Sequence, residues 1–150
     1  MEEQTTGCLV CGAPLEYFPS QIEMECTYCH KTFMSNARCV NGHFICDSCH
    51  EQMGLRVIED ICRHTDSKDP VAIMKKIILS PYIYMHGPEH HVLVGSALLA
   101  AYKNAGGELD LDAALEEMRN RGTQVPGGIC GLWGTCGAAV STGIFISLIT

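Results

Sequence analysis

Cysteine and histidine fall into four short pairs within the first fifty residues, and this spacing limits the fold more than any other feature of the chain. The pairs are Cys8/Cys11, Cys26/Cys29, Cys39/His43 and Cys46/Cys49. Two tetrahedral sites need eight ligands, and this segment supplies eight. It holds few large aliphatic residues, so it cannot bury enough apolar surface to fold unaided, and bound metal supplies its folding energy. Two structural zinc ions are expected, because a closed set of four ligands leaves no position for water.

Taken in chain order, Cys8, Cys11, Cys26 and Cys29 form one site, and Cys39, His43, Cys46 and Cys49 form the other. The spacing also resembles the central portion of a RING finger, where the ligands of two sites interleave, so the pairing stays open. Thiolates alone do not select a metal, and an iron–sulfur cluster on the first four cysteines is an alternative. His30 and His50 follow knuckle cysteines and are spare candidates; otherwise they are ordinary polar residues. Short strands are expected at 15–18 and 22–25, around a Pro19-Ser20 turn, with a third at 31–34. This is the layout of a small zinc-ribbon-like module over residues 1–50.

Residues 51–150 carry helical patterns and form a mainly α-helical bundle. Asp47 is a plausible N-cap for a helix to about His64, with Met53, Val57, Ile58, Ile61 and Cys62 on one face. Asp69-Pro70 starts a second helix, which Pro81 ends. A third runs from the His86–His91 region to about Asn104, with Val94, Ala97, Leu98 and Ala101 inward. Asp110 caps a fourth that ends at Gly122, and a last helix begins near Thr135 or Cys136, with the chain expected to stop inside or just after it.

Charge and composition narrow the setting. The N-terminus MEEQTTG has no basic start and no apolar run, and the cysteines have metal spacing, so a reducing cytoplasm is expected rather than a secreted disulfide framework. Net charge is −7, and the cysteine-rich segment lacks the basic face that phosphate neutralisation requires, so nucleic acid is not an expected partner. No charged side chain follows Arg121, yet Pro126 and several glycines break that tail before the ~20 apolar residues of a membrane span are reached.

Two clusters in the helical half carry candidate chemistry. His86, Glu89, His90 and His91 stand at a helix start; His86, Glu89 and His90 fit the H-x-x-E-H string of a metallohydrolase, although Gly87-Pro88 interrupts it. The helix dipole disfavours cationic imidazoles there, leaving ring nitrogens for metal. The bland reading is capping and polar packing. Cys130 and Cys136 flank a glycine-rich turn into a helix, a setting for a reactive thiol. Gly127, Gly128, Gly131, Gly134 and Gly137 would let a cofactor approach the backbone. The bland reading there is two small side chains at a tight helix crossing.

The strings CVNGHFICDSCH (39–50), MHGPEHHVLVGSALLAAYKNAGG (85–107) and VPGGICGLWGTCGAAVSTGIF (125–145) resemble the cysteine-rich family called domain of unknown function 5714, over nearly the whole chain. A looser resemblance links the His90–Tyr102 helix and GGICGLWGTCGAA to the redox-active family named for its C-GCAxxG-C-C pattern. These resemblances imply redox or metal-cofactor chemistry, with iron or an iron–sulfur cluster in the helical half. The expected working site then joins Cys130 and Cys136, as thiolate ligands or a redox pair, with His86, His90 and His91, while Glu89 orients an imidazole. A redox or protein partner and a homo-oligomer fit this expectation. The competing reading is a non-catalytic, zinc-stabilised protein-interaction module, followed by a zinc hydrolase at His86, Glu89 and His90.

Overall fold

A computed structural model describes residues 7–84 and 87–150. The candidate ligand His86 lies outside the described residues. The chain divides into two compact units, one ending at Gln52 and one beginning at Met53.

The first unit is built on a two-stranded antiparallel ribbon of β1 (Leu15–Glu25) and β2 (Thr32–Cys39). Three strands were expected; the first two are one continuous strand. Pro19 and Ser20 fall where the register shifts, between Tyr17 opposite Ala37 and Ile22 opposite Ser35. Proline has no amide to give to a ladder, and a bulge accommodates it without turning the chain. Glu16 faces Arg38 across the strands and accepts from its Nε at 2.8 Å. Only Met24 is buried on β1 and only Cys39 on β2, so the ribbon has little core of its own.

The second unit packs helices around one central helix. In order the helices are α1 (Asp47–His64), α2 (Pro70–Ile78), α3 (His90–Asn104), α4 (Leu111–Gly122), α5 (Ile129–Trp133) and α6 (Gly137–Ile149). The unit boundary falls within α1. Two helix starts follow the sequence signals: Asp69 accepts from the Val71 amide at 2.9 Å, with Pro70 in the first turn, and Asp110 accepts from the Ala113 amide at 3.2 Å. On α1, Leu55, Ile58 and Cys62 are buried and Ile61 partly so. Met53 and Val57 are only half-buried.

Helix α3 is buried on nearly every side. His91, Val92, Leu93, Gly95, Ser96, Ala97, Leu99, Ala100 and Ala101 are all buried, a wider face than the expected Val94, Ala97, Leu98 and Ala101 stripe. It packs against α2, α4 and α6. Its approach to α6 depends on small residues. The Gly95 amide donates to the buried Ser141 hydroxyl at 2.8 Å. A Cβ on Gly137 would lie 2.4 Å from His91 Cδ2. Further along, Tyr102 and Phe145 meet edge to face at 6.2 Å. The pairings 91 with 137, 95 with 141 and 102 with 145 all ascend, so α3 and α6 run in the same direction. Among the described residues, no helix is long and apolar enough to cross a membrane.

Candidate metal centres and the helical cleft

The eight N-terminal ligands gather into two groups that interleave along the chain. Cys8, Cys11, Cys39 and His43 form one; Cys26, Cys29, Cys46 and Cys49 form the other; within each group the ligand atoms all lie within 4.8 Å of one another. This corrects the chain-order grouping, and the ribbon gives the reason. Cys11 lies just before β1 and Cys26 just after it, and an eleven-residue strand at ~3.4 Å per residue separates its ends by on the order of 30 Å. The first two knuckles therefore cannot share an ion. Antiparallel pairing instead sets Leu15 opposite Cys39, returning the end of β2 to the first knuckle. At the other end, the Thr27 amide donates to the Phe44 carbonyl at 2.7 Å, bringing the approach to Cys46 and Cys49 beside the second knuckle.

The distances within the groups suit single ions. Cys8 Sγ and His43 Nδ1 are 3.8 Å apart, Cys11 Sγ and Cys39 Sγ 3.5 Å, and Cys29 Sγ and Cys46 Sγ 3.8 Å. A tetrahedron with metal–sulfur bonds of ~2.3 Å has edges of about 3.8 Å. An iron–sulfur cluster, which inserts several atoms between its cysteines, would hold them farther apart. Each group therefore fits one tetrahedral ion, and its residues would hold that ion through three thiolates and Nδ1 or through four thiolates.

Backbone turns point amides at the sulfurs. Val10 N donates to Cys8 Sγ at 3.4 Å, Asn41 N to Cys39 Sγ at 3.3 Å and Cys46 N to Cys26 Sγ at 3.4 Å. Each of the first two knuckles ends on a left-handed residue, Gly12 at φ 73° and His30 at φ 58°. Glycine takes this conformation freely; His30 does not. Its imidazole pairs with exposed Glu25 at 2.9 Å, and neither His30 nor His50 joins a ligand group.

Crowding splits the thiols of the metal-free protein. The Ala13 amide, followed by the Asn41 side chain, holds Cys11 down at about 6. Burial pushes Cys26 up, but amides at Cys29, Cys46 and Tyr28 outweigh it and leave that thiol at about 6. Burial raises Cys39 and Cys46, and the neighbouring Cys46 thiol, with burial, pushes Cys49 up to about 12. Four thiols in one place cannot all ionise without a cation between them.

In the second unit, a cleft of about 420 Å³ is lined by Gly87 and Pro88 just before α3, by His90 and His91 in its first turn, by Gly127, Gly128 and Cys130, and by the first turn of α6 (Gly137, Ala138). It brings together several expected site residues but not all. Cys136 is the exposed N-cap of α6 and does not line the cleft; nor do Gly131 and Gly134. Glu89 is 1% exposed and accepts from the Tyr84 amide at 3.0 Å, so among the described residues its carboxylate holds backbone at Tyr84. His90 Nε2 lies 2.7 Å from the Tyr84 carbonyl and must donate to it, which leaves Nδ1 as the ring's lone-pair atom. His91 is buried, and its Nδ1 has no hydrogen-bond partner among the described residues. Among these residues, groups of three or more close metal-type ligands occur only in the first unit. Among the described residues the H-x-x-E-H reading gains no support: its carboxylate is shielded and engaged by the Tyr84 amide, and its His86 lies outside them. Short helix α5 escaped the sequence reading; it stands between left-handed Gly128 and Gly134 and exposes Leu132 and Trp133.

Residues 58–150 match the model of a family described as a family of unknown function, DUF5714. The match spans more than half of the chain, and the chain belongs to that family. All eight N-terminal ligands precede the matched region. No curated protein and no solved structure matches.

Proposed function

We propose that this family member is a zinc-binding protein in which the two interleaved four-ligand groups act as scaffold and the cleft of the helical unit is the working site of redox or cofactor-linked chemistry. The observation that carries this reading is the convergence of the Cys130 thiol, two imidazoles and a glycine turn on one 420 Å³ cleft. Cys130 would react with, or ligate, the bound group. His90 offers an Nδ1 lone pair oriented by the Tyr84 carbonyl, as ring nitrogens that bind metals or move protons commonly are. Gly127 supports an approaching ligand: its φ is ordinary and a Cβ there would meet nothing within 4 Å, so neither backbone nor packing demands glycine. Zinc in the scaffold would supply folding energy and no chemistry. A reducing compartment and a redox partner belong to the same reading.

Anaerobic purification followed by elemental analysis and an absorption spectrum tests it. About two zincs with additional iron or a coloured cofactor, lost in Cys130→Ser while the zincs stay, is the expected result. A colourless two-zinc protein whose Cys130 reacts no faster than an unfolded thiol refutes the cleft chemistry. One observation favours a second reading, a non-catalytic docking module: Leu132 is 78% and Trp133 67% exposed on α5, beside the cleft-lining Cys130.

A further inference from the structure

The two ligand groups are unequal in a way that bears on oxidants. In the second group no ligand is exposed: Cys26 and Cys46 are buried, and Cys29 and Cys49 are half-buried. In the first group Cys11 is exposed, while Cys39 is 0% exposed. Their sulfurs are nevertheless only 3.5 Å apart. An oxidant in solution can reach Cys11 and cannot reach Cys39; Cys39 can reach Cys11.

We propose that Cys11 is an oxidation site through which peroxide releases the ion of the first group alone, by closing a Cys11–Cys39 disulfide. This rests on the reading that both groups hold zinc. The Cys11 thiolate attacks one peroxide oxygen and the O–O bond breaks, giving the sulfenic acid and hydroxide, which takes a proton to become water. The Cys39 thiolate then attacks the Cys11 sulfur, the S–O bond breaks, and a second hydroxide leaves and becomes water. Two thiolates are oxidised by two electrons and one peroxide is reduced to two waters. The ion retains only Cys8 and His43, half of a tetrahedral set, and departs. The second group offers no matching entry. Its close sulfur pair, Cys29 and Cys46 at 3.8 Å, joins a half-buried residue to one 3% exposed.

The test uses the full chain carrying Cys130→Ser and Cys136→Ser, so that exposed thiols outside the groups do not consume oxidant. Zinc-loaded protein is treated with one equivalent of hydrogen peroxide beside a chromogenic zinc chelator, and the disulfide is mapped by mass spectrometry without reduction. One zinc released per chain, at least tenfold faster than the second, with a peptide linking Cys11 to Cys39, is expected. Two zincs bound but released together, or a link confined to the second group, overturns this proposal and leaves the zinc scaffold standing. Fewer than two zincs bound at the outset overturns both. Cys11→Ser serves as a further check if it still loads two zincs: peroxide should then release neither at the fast rate, and unchanged fast release overturns the proposal.

Discussion

Substituting Gly95 by alanine tests the packing of α3 against α6, because two effects of opposite sign meet at that position. In an exposed helix interior, glycine to alanine stabilises by roughly 0.5–1 kcal/mol through lost backbone entropy. At Gly95 the new Cβ would lie 2.3 Å from Met118 Sδ, 2.6 Å from its Cε and 2.9 Å from the Ser141 carbonyl oxygen. The Met118 side chain can swing away, but the Ser141 carbonyl belongs to a helix and cannot move without carrying α6 with it. Overpacking of this kind costs about 1–3 kcal/mol. Separation of the helices also strains the 2.8 Å hydrogen bond from the Gly95 amide to Ser141 Oγ, with about 1 kcal/mol at risk. The costs exceed the entropy gain, and the expected net destabilisation is about 1–3 kcal/mol. For a unit of this size that lowers Tm by roughly 5–15 °C. Gly143 on α6 is the control: it is exposed and its Cβ would meet nothing within 4 Å, so Gly143→Ala should raise Tm. Thermal unfolding followed by circular dichroism at 222 nm reads both variants. A Gly95→Ala protein as stable as the parent would refute the close α3–α6 contact.

Four further outcomes follow from the geometry. In the metal-free protein Cys46 and Cys49 are both raised above the ordinary 9.0, so both carry protons at pH 7 and a zinc ion binding as proposed would have to displace them. Affinity at the second group should therefore rise with pH, by at least about 100-fold per unit from these two released protons, in a chelator competition from pH 6 to 8; a flat profile contradicts the thiol assignment. Cys62 is 0% exposed and burial pushes its thiol up to about 12, so iodoacetamide should label Cys130 and Cys136 in the native protein while sparing Cys62. The folded state holds the Cys62 proton more tightly than the unfolded one. That contribution is full below pH 9 and lost as pH rises toward 12, so Cys62→Ala should show a shallower alkaline loss of stability. Finally, His30→Gly should raise the stability of the zinc-loaded protein by on the order of 1 kcal/mol through relief of its left-handed strain; a fall would show that the Glu25 contact outweighs it.

Local signals in the sequence carried well where a few adjacent residues settle the structure. Asp69-Pro70 and Asp110 marked helix starts because a cap needs only its own side chain and the amides just beyond it. The eight ligands were legible because knuckle spacing is local too. Their grouping was not, since it depends on which end of a two-stranded ribbon each knuckle occupies, and the expected turn at Pro19 would have placed the knuckles differently. Helix α3 was found, but its burial was misjudged: Gly95, Ser96, Ala97 and Ala100 are small, and small residues do not announce an inward face. Helix α5 holds five residues between glycines, too few for any period to register. In the cleft, His90, His91, Cys130, Gly127, Gly128 and Gly137 do converge, whereas the neighbouring Glu89 and Cys136 point to other tasks, a difference of one helical step that residue type alone cannot reveal.

Interleaving also makes the first unit indivisible. The first group draws on the chain from 8 to 43 and the second from 26 to 49. Any fragment long enough to complete one necessarily includes two ligands of the other, so no truncation yields a clean single-site version. During synthesis the first set is complete once His43 emerges and the second only six residues later, at Cys49. The ribosome thus releases both sets almost together, after a long interval in which up to five cysteines of the two sets are present and neither set is whole. Until Cys39 emerges, a chain that recruits metal in that interval has only the two early knuckles to offer, at positions the finished ribbon will pull apart. Correct loading therefore requires either that metal arrive late or that early metal exchange readily.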